Sequence, residues 1–171
     1  MTLDTYRGRM GWILNPLAWA LYRHGVSANH LSLLSLISAI VAGAAFCVNV
    51  LPVAIVTIAC NALFDALDGC LARSSKSESK QGDLIDHVCD RYSDIFIFGG
   101  ITIGGYIAWQ IGLIAIVGVL MTSYLGTQAQ ALGVGRDYRG LLGRADRLVL
   151  VFFVTLLSLS LIHISEPTRP Y

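Results

Sequence analysis

Residues 61–94 read NALFDALDGCLARSSKSESKQGDLIDHVCDRYSD and contain two pairs of acids on either side of a polar connection. Asp65 lies three positions before Asp68, and Asp86 lies four positions before Asp90. Both spacings put the two members of a pair on one face of an α-helix. Because the connection between the pairs is short, the two helices are predicted to run antiparallel. Their carboxylates are then expected to converge at one end of the helix pair.

The composition of the whole chain indicates a membrane protein. Of the 171 residues, 55% are hydrophobic and 13% are charged, and the mean hydropathy is +0.65. Soluble domains carry about 25% charged residues, so lipid is the expected main solvent. The length suits one compact helical domain, and the N-terminal residues show no cleavable signal peptide. Membrane lipid is an expected partner, and no nucleic-acid partner is predicted.

Five apolar stretches reach the length of about 20 residues that a helix needs to cross a bilayer. They cover residues 28–49, 52–71, 82–106, 109–132 and 144 onwards. Residues 9–23 are predicted to form a short helix in the membrane interface, where Trp12, Trp19 and Tyr22 suit the headgroup level. The predicted fold class is therefore all-α, a polytopic transmembrane helix bundle with an N-terminal interfacial helix. Five spans are readable and a sixth is expected to be lost.

The distribution of basic residues predicts the topology. Lys and Arg precede the first span and occupy the connections after the second and fourth spans, whereas the connections at 49–52 and 104–112 have none. The positive-inside rule then puts the N-terminus and both basic loops in the cytoplasm. Since the acid pairs flank one of these basic loops, we expect their site at the cytoplasmic face of the cell membrane.

The C-terminal residues have an unusual sequence. Residues 159–169 read LSLIHISEPTR, which resembles the translation of a common sequencing-library adapter. We therefore expect residues 1–158 to form the membrane domain and residues 159–171 to be a non-native tail that replaces natural sequence. The alternative is an ordinary polar C-terminus after a fifth helix.

Converging carboxylates need a neutralising partner. Ionisable residues inside a membrane span cost a few kcal/mol each and usually mark function. Hard divalent cations such as Mg²⁺ or Mn²⁺ suit a site made only of oxygen ligands. The alternative is ordinary ion pairing with Arg73, Arg91 or Lys80, which accounts for one or two of the acids.

Residues 65–73 read DALDGCLAR, and eight residues later residues 82–90 read GDLIDHVCD. The two segments place acids, glycines and one arginine at fixed spacing over 26 residues. This pattern resembles the signature of the CDP-alcohol phosphatidyltransferase family. Residues 27–29 also resemble a Pro-Asn element before the family's first span, with Ala28 at the position of the proline. The resemblance covers nearly the whole chain, although members of the family have six spans.

The resemblance implies an enzyme of phospholipid biosynthesis. It would transfer a phosphatidyl- or archaetidyl-type group from a CDP-linked lipid donor to an alcohol acceptor and release CMP. Matching positions imply a site for two Mg²⁺ or Mn²⁺ ions with the ligands Asp65, Asp68, Asp86 and Asp90, the last also being the catalytic general base. The implied CDP-lipid-binding residues are Asn29, Gly69, Arg73, Ser79 and Gly82. A homodimer is compatible with the resemblance, but no residue in the sequence demonstrates one.

The acceptor is less well specified by the sequence. Residues 90–94 (DRYSD) and 143–147 (GRADR) resemble the branch of the family that makes inositol-phosphate lipids, including archaeal ether lipids. This implies acceptor contacts from Arg144 and Arg147, although basic residues at a cytoplasmic helix end also satisfy the positive-inside rule. That branch has basic residues where residues 123–130 read SYLGTQAQ. Their loss is expected to weaken binding of a phosphorylated acceptor, and Gln128 is a candidate to bond acceptor hydroxyls instead.

Two other hypotheses remain from the sequence. Intramembrane carboxylates also occur in divalent-metal carriers, which typically show internal repeats and helices broken at the midplane. This chain shows neither feature, and its acids lie at one membrane face. The second alternative is an inactive truncated fragment. The identity of the acceptor, and whether it is phosphorylated, stays open.

Overall fold

The computed structural model describes residues 7–74, 79–133 and 143–165, with the side chains of residues 14–73, 79–133 and 143–161. These residues form six helices and no strand, which confirms the predicted all-α class. The helices are α1 (Arg7–Arg23), α2 (Ala28–Cys47), α3 (Leu51–Ser74), α4 (Lys80–Ile103), α5 (Trp109–Ala131) and α6 (Arg144–Ser165). Residues 166–171 of the predicted tail lie outside the described residues.

Three of the described helices are long and apolar enough to cross a membrane, namely Ala28–Cys47, Leu51–Arg73 and Trp109–Ala131. They confirm three of the predicted spans. The helices α4 and α6 have 24 and 22 residues, which gives lengths of about 36 and 33 Å. Their lengths also match a bilayer, but α4 carries the acids of the site in its N-terminal half and α6 carries the arginines at its start. That these two helices span the membrane therefore stays a prediction.

Glycine allows α2 and α4 to pack with their backbones in contact. A Cβ atom on Gly43 would lie 2.4 Å from the carbonyl oxygen of Phe96, and one on Gly100 would lie 2.3 Å from the carbonyl oxygen of Gly43. Small residues at such crossings are typical of membrane helix pairs. Gly118 on α5 differs, because its Cβ position has no described neighbour within 4 Å.

Two clusters of buried side chains hold the bundle together. The larger cluster joins α2, α3, α4 and α6 through Ala39, Ala42, Ala45, Phe46, Leu51, Ala54, Ile58, Ile97 and Leu148. The smaller cluster packs α1 against α2 and α3 through Leu14, Ala18, Leu31, Leu67, Cys70 and Leu71. In the smaller cluster, Leu67 flanks Asp68, so α1 lies beside the acid-bearing end of α3.

The remaining helices pack against single neighbours. In the described part of the chain, α5 packs against α4, and α6 packs against α3. Most of the large apolar side chains of α5 are exposed, as suits a helix in contact with lipid. On α1, Trp19 and Tyr22 are each 49% exposed, and the Arg23 guanidinium lies over the Trp19 ring. These features agree with the predicted interfacial position of α1, which stays a prediction.

Candidate active site

The central feature of the site is a group of carboxylates shared by α3 and α4. Asp65 and Asp68 from α3 and Asp86 from α4 each offer an oxygen atom, and these atoms lie within 4.8 Å of one another. Asp68 is buried, and the other two are partly exposed. Oxygen atoms converging from two helices are the donors that Mg²⁺ and Mn²⁺ prefer. The site therefore fits a hard divalent cation.

The orientation of α3 is fixed by polar contacts with α2. The Asn61 side-chain amide donates to the carbonyl oxygen of Ser35 at 2.9 Å and to its hydroxyl at 2.8 Å. Asn61, Asp65 and Asp68 lie at positions i, i+4 and i+7, which share one helix face. The amide contact thus turns both acids of α3 toward the interior of the bundle.

A serine on α2 holds the most buried of the acids. The Ser32 hydroxyl donates to Oδ2 of Asp68 at 2.9 Å, and Ser32 is only 2% exposed. Such a bond leaves the other carboxylate oxygen available and fixes the direction in which it points. Sequence reasoning missed Ser32, because the contact joins residues 36 positions apart on different helices.

Asp90 lies next to the acid group but has a different environment. Its Oδ1 is 2.6 Å from Nη1 of Arg144, and its Oδ2 is 3.6 Å from Nη2 of Arg91. The same Nη1 of Arg144 also donates to Oδ1 of Asp65. The structure therefore places Asp90 beside Arg144, whereas the group of converging oxygens consists of Asp65, Asp68 and Asp86. The ordinary ion pairing considered from the sequence occurs between Arg91 and Asp90.

The two arginines implied for the acceptor enter the site from the first turn of α6. The backbone amide of Gly143 donates to the side chain of Asp146 at 3.0 Å, which fixes the start of this helix. Arg144 contacts Asp65 and Asp90, and Arg147 donates to Asp94 at 3.2 Å. Both arginines are thus brought to the acids.

Gln128 is placed differently from the arginines. It is exposed on α5, and its Nε2 donates to the hydroxyl of Tyr124 on the same helix at 2.8 Å. In the described residues α5 packs against α4 but not against α3 or α6. The structure therefore does not bring Gln128 to the acid group, and its acceptor role stays a prediction.

A cavity adjoins the acid group. It has a volume of about 500 Å³, and its wall includes Asp68 and Asp86. All the residues that the resemblance implies for CDP-lipid binding line it, namely Asn29, Gly69, Arg73, Ser79 and Gly82. Thus the structure brings together residues that are more than 50 positions apart in the sequence.

The shape of the cavity depends on its glycines. A Cβ atom on Gly82 would lie 3.1 Å from the Ser79 hydroxyl and 3.3 Å from Oδ1 of Asn29. On the opposite helix, a Cβ atom on Gly69 would lie 3.4 Å from Nη1 of Arg73. Side chains at either glycine would crowd polar groups that face the cavity. Their absence lets a ligand approach the backbone closely.

Charges of both signs surround the cavity. Asp68, Asp83 and Asp86 are acidic, whereas Arg73, Lys80 and the N-terminus of α4 provide positive charge. The Ser79 hydroxyl accepts from the amide of Gly82 at 3.0 Å and caps this helix. Helix N-termini favour phosphate groups because their amide donors are unpaired and the helix dipole is positive there. The cavity therefore suits a phosphate group held beside a divalent cation.

Comparison with known proteins agrees with this arrangement. Residues 25–168 match the family described as CDP-alcohol phosphatidyltransferase. The chain belongs to this family. Among its relatives, the archaetidylinositol phosphate synthase of Pyrococcus horikoshii is 31% identical over 154 residues, which cover 90% of this chain and 82% of the relative.

Solved structures of a relative share the fold. Phosphatidylinositol phosphate synthase of Mycobacterium tuberculosis with CDP-DAG bound superposes with a TM-score of 0.73 and 26% identity, covering 93% of this chain and 80% of that one. The same enzyme in complex with manganese and citrate gives a TM-score of 0.73 and 25% identity, with 92% and 76% covered. This CDP-alcohol phosphatidyltransferase is therefore a membrane-bound, metal-dependent transferase of phospholipid biosynthesis. Its membership of the family decides against a metal carrier.

Proposed function

We propose that the cavity binds a CDP-linked lipid and that the acid group beside it transfers the phosphatidyl- or archaetidyl-type group to an alcohol, with release of CMP. The observation that carries this proposal is the shared wall of the cavity. It contains two of the clustered acids and all five of the implied donor-binding residues. The bound CDP-DAG in the mycobacterial relative supports a donor of this class.

The donor-binding roles follow from the charges and the glycines. Arg73 offers a forked set of donors to a phosphate, and the capped N-terminus of α4 adds backbone amides. Gly69 and Gly82 leave room for the nucleotide and diphosphate to approach the two helices. The side chains of Asn29 and Ser79 both lie close to Gly82, where they can bond the polar parts of the nucleotide.

We assign Asp65, Asp68, Asp86 and Asp90 as ligands for two Mg²⁺ or Mn²⁺ ions. When bound, two such ions withdraw charge from the reacting phosphorus and stabilise the leaving phosphate of CMP. The family match and the manganese complex of the relative support this assignment. Ser32 and Arg144 keep the carboxylates of Asp68, Asp65 and Asp90 in position.

Asp90 is proposed as the general base. An alcohol is a weak nucleophile, so a carboxylate that accepts its proton speeds the attack. The acceptor oxygen forms a bond to the phosphorus that carries the lipid, the bond from this phosphorus to the CMP oxygen breaks, and the proton passes to Asp90. Contacts from Arg144 and Arg91 hold the Asp90 carboxylate in one orientation.

The acceptor is proposed to bind at the α6 side of Asp90. Arg144 and Arg147 bring two positive charges there, which suits an acceptor with hydroxyl or phosphate oxygens. Gln128 is kept as a further candidate, although reaching this place would require α5 to lie nearer to α6. The named relatives make inositol phosphate lipids, and this supports testing inositol phosphate first.

Three further proposals concern the setting of the enzyme. The alternation of basic connections supports an active site at the cytoplasmic face of the cell membrane. A homodimer is supported by the family resemblance alone, and cross-linking in membranes tests it. The adapter-like sequence supports a non-native tail at 159–171, and resequencing of the gene tests it.

The function is tested by following CMP release from membranes that contain the protein. The assay supplies Mg²⁺, a CDP-linked lipid with ester or ether chains, and a panel of free and phosphorylated alcohols that includes inositol phosphate. We expect CMP release that requires Mg²⁺ and one class of alcohol. If no acceptor yields CMP, even from a chain in which any natural C-terminal sequence is restored, the proposal is wrong.

A further inference from the structure

Asp94 is a deeply buried acid that the family-like motif at 65–90 does not include. It is 3% exposed and lies on α4, one turn beyond Asp90. Its Oδ2 is 3.2 Å from Nη2 of Arg147, and its Oδ1 is 3.9 Å from Nε of Arg144. One buried carboxylate therefore lies against both arginines of α6.

These ion pairs connect two helices whose backbones do not approach each other closely. Among the described residues, no Cα atom of α6 lies within 8 Å of a Cα atom of α4, and α6 packs against α3 instead. The long side chains of Arg144 and Arg147 cross this distance to reach Asp90 and Asp94. The packing of α6 on α3 brings the two arginines to the acids of α4, and the ion pairs fix where their guanidinium groups lie.

The position of the arginines at the start of α6 is unfavourable without such partners. Arg144 and Arg147 lie at the start of the helix, beside Asp146, where the positive end of the helix dipole disfavours positive charge. Asp94 is also costly on its own, because a buried charge needs a close partner of opposite sign. The buried Asp94 carboxylate and the two arginines therefore each reduce the unfavourable free energy of the other.

Arg144 carries the effect of Asp94 toward the proposed base. Its Nε faces Asp94, and its Nη1 contacts Asp90 at 2.6 Å and also contacts Asp65. Since the guanidinium is planar and rigid, the electrostatic attraction between Asp94 and the Nε edge at 3.9 Å limits where Nη1 can lie. Displacing that edge would change the orientation of the Asp90 carboxylate.

We propose that Asp94 is a positioning residue for the transfer reaction, holding Arg144 and Arg147 so that Arg144 orients Asp90. This inference rests on the proposed function, because it takes Asp90 as the base. Neither Asp94 nor the two arginines line the donor cavity. The loss of Asp94 should therefore lower turnover without changing donor affinity.

The test compares Asp94→Asn with Ser93→Ala as a matched control. Ser93 is the buried neighbour of Asp94 on α4, and its hydroxyl has no hydrogen-bond partner among the described residues. With Mg²⁺, a CDP-linked lipid and the best alcohol of the panel, we expect kcat of Asp94→Asn to fall by about 10–100-fold. The KM for the CDP-linked lipid should stay unchanged, and Ser93→Ala should keep both values.

A double variant tests whether Asp94 acts through the arginines. If it does, Asp94→Asn combined with Arg147→Gln should lower kcat little more than the more damaging single change. Asp94→Glu, which retains the charge, should recover part of the lost kcat. Additive losses in the double variant would contradict the proposal.

Other outcomes separate this proposal from the proposed function. If the wild type releases CMP and Asp94→Asn has the same kcat, the positioning role is wrong while the function stands. If donor binding and kcat fall together with the amount of folded protein, Asp94 has a structural role only.

Should Asp94→Asn fail to fold, Asp94→Glu decides. A folded variant with lowered kcat and unchanged KM for the donor supports the positioning role, and one with wild-type kcat overturns it. A wild type that releases no CMP contradicts the function itself.

Discussion

Ser32 shows how a single uncharged residue supports the acid group. Its hydroxyl donates to one oxygen of Asp68, so the second oxygen is presented to the other acids in a fixed direction. Residues that orient a metal ligand in this way typically change metal affinity when they are replaced. The structure therefore gives Ser32 a role that no sequence pattern indicates.

We predict that Ser32→Ala weakens binding of divalent metal by about 10–100-fold. The reason is that Asp68 loses the hydroxyl donor from α2 and gains freedom to rotate. The measurement is a Mn²⁺ titration followed by electron paramagnetic resonance, together with the Mg²⁺ dependence of CMP release.

The matched control for this prediction is Ser38→Ala. Ser38 is on the same helix, but its hydroxyl donates to the carbonyl oxygen of Leu34 at 2.8 Å and not to the site. It should leave metal affinity unchanged. Equal metal affinity in Ser32→Ala and the wild type would show that Asp68 is held by other contacts.

The helices themselves were predictable because their ends are well marked. The apolar runs at 28–49 and 109–132 correspond to α2 and α5 with ends that differ by at most two residues. Ser27 and Ser79 accept from backbone amides at the starts of α2 and α4, as N-cap serines typically do. The helices and the helix faces on which the acids lie are therefore predictable from the sequence alone.

The contacts between helices were less predictable. Arg144 lies 79 positions after Asp65, and its place between Asp65, Asp90 and Asp94 depends on how α6 packs on α3. Asp94 continues the four-residue spacing of Asp86 and Asp90 along one face of α4, so extending that pattern would have found it. The partners of Asp94 required the three-dimensional arrangement.

The close crossing of α2 and α4 leads to a prediction on stability. In Gly100→Ala the new methyl group would meet the backbone of Gly43 at 2.3 Å, and backbone cannot move aside as a flexible side chain can. Overpacking of this kind typically costs about 1–3 kcal/mol. We expect a lower Tm for the detergent-purified protein, measured by thermal unfolding.

Gly118→Ala is the control, since its Cβ position has no described neighbour within 4 Å. Alanine also has the higher helix propensity, so the Tm should stay the same or rise. Equal losses of Tm in the two variants would contradict direct backbone contact between α2 and α4.

For the whole molecule, the bundle gathers its chemistry at one end. The start of α4, the end of α3 and the start of α6 all supply charged residues to the cavity and the acid group. The exposed apolar surfaces of α2, α3 and α5 lie along the rest of the bundle. A water-soluble nucleotide and a membrane-held lipid can meet at such an end.

We predict that the connection after α3 faces the cytoplasm and the turn between α2 and α3 faces the other side. In a background without the native cysteines, Val50→Cys should react with a membrane-impermeant thiol reagent applied to intact cells. Ser77→Cys should react only after permeabilisation. The reverse labelling pattern would contradict an active site at the cytoplasmic face of the membrane.

The proposed reaction depends most on Asp90, the base beside the donor-binding cavity. The most direct measurement is the rate of Mg²⁺-dependent CMP release by Asp90→Asn, with binding of the CDP-linked lipid measured on the same preparation. We predict a rate lower by about 10²–10⁴-fold with donor binding largely retained, because Asp90 does not line the cavity. A rate equal to that of the wild type would contradict the central claim.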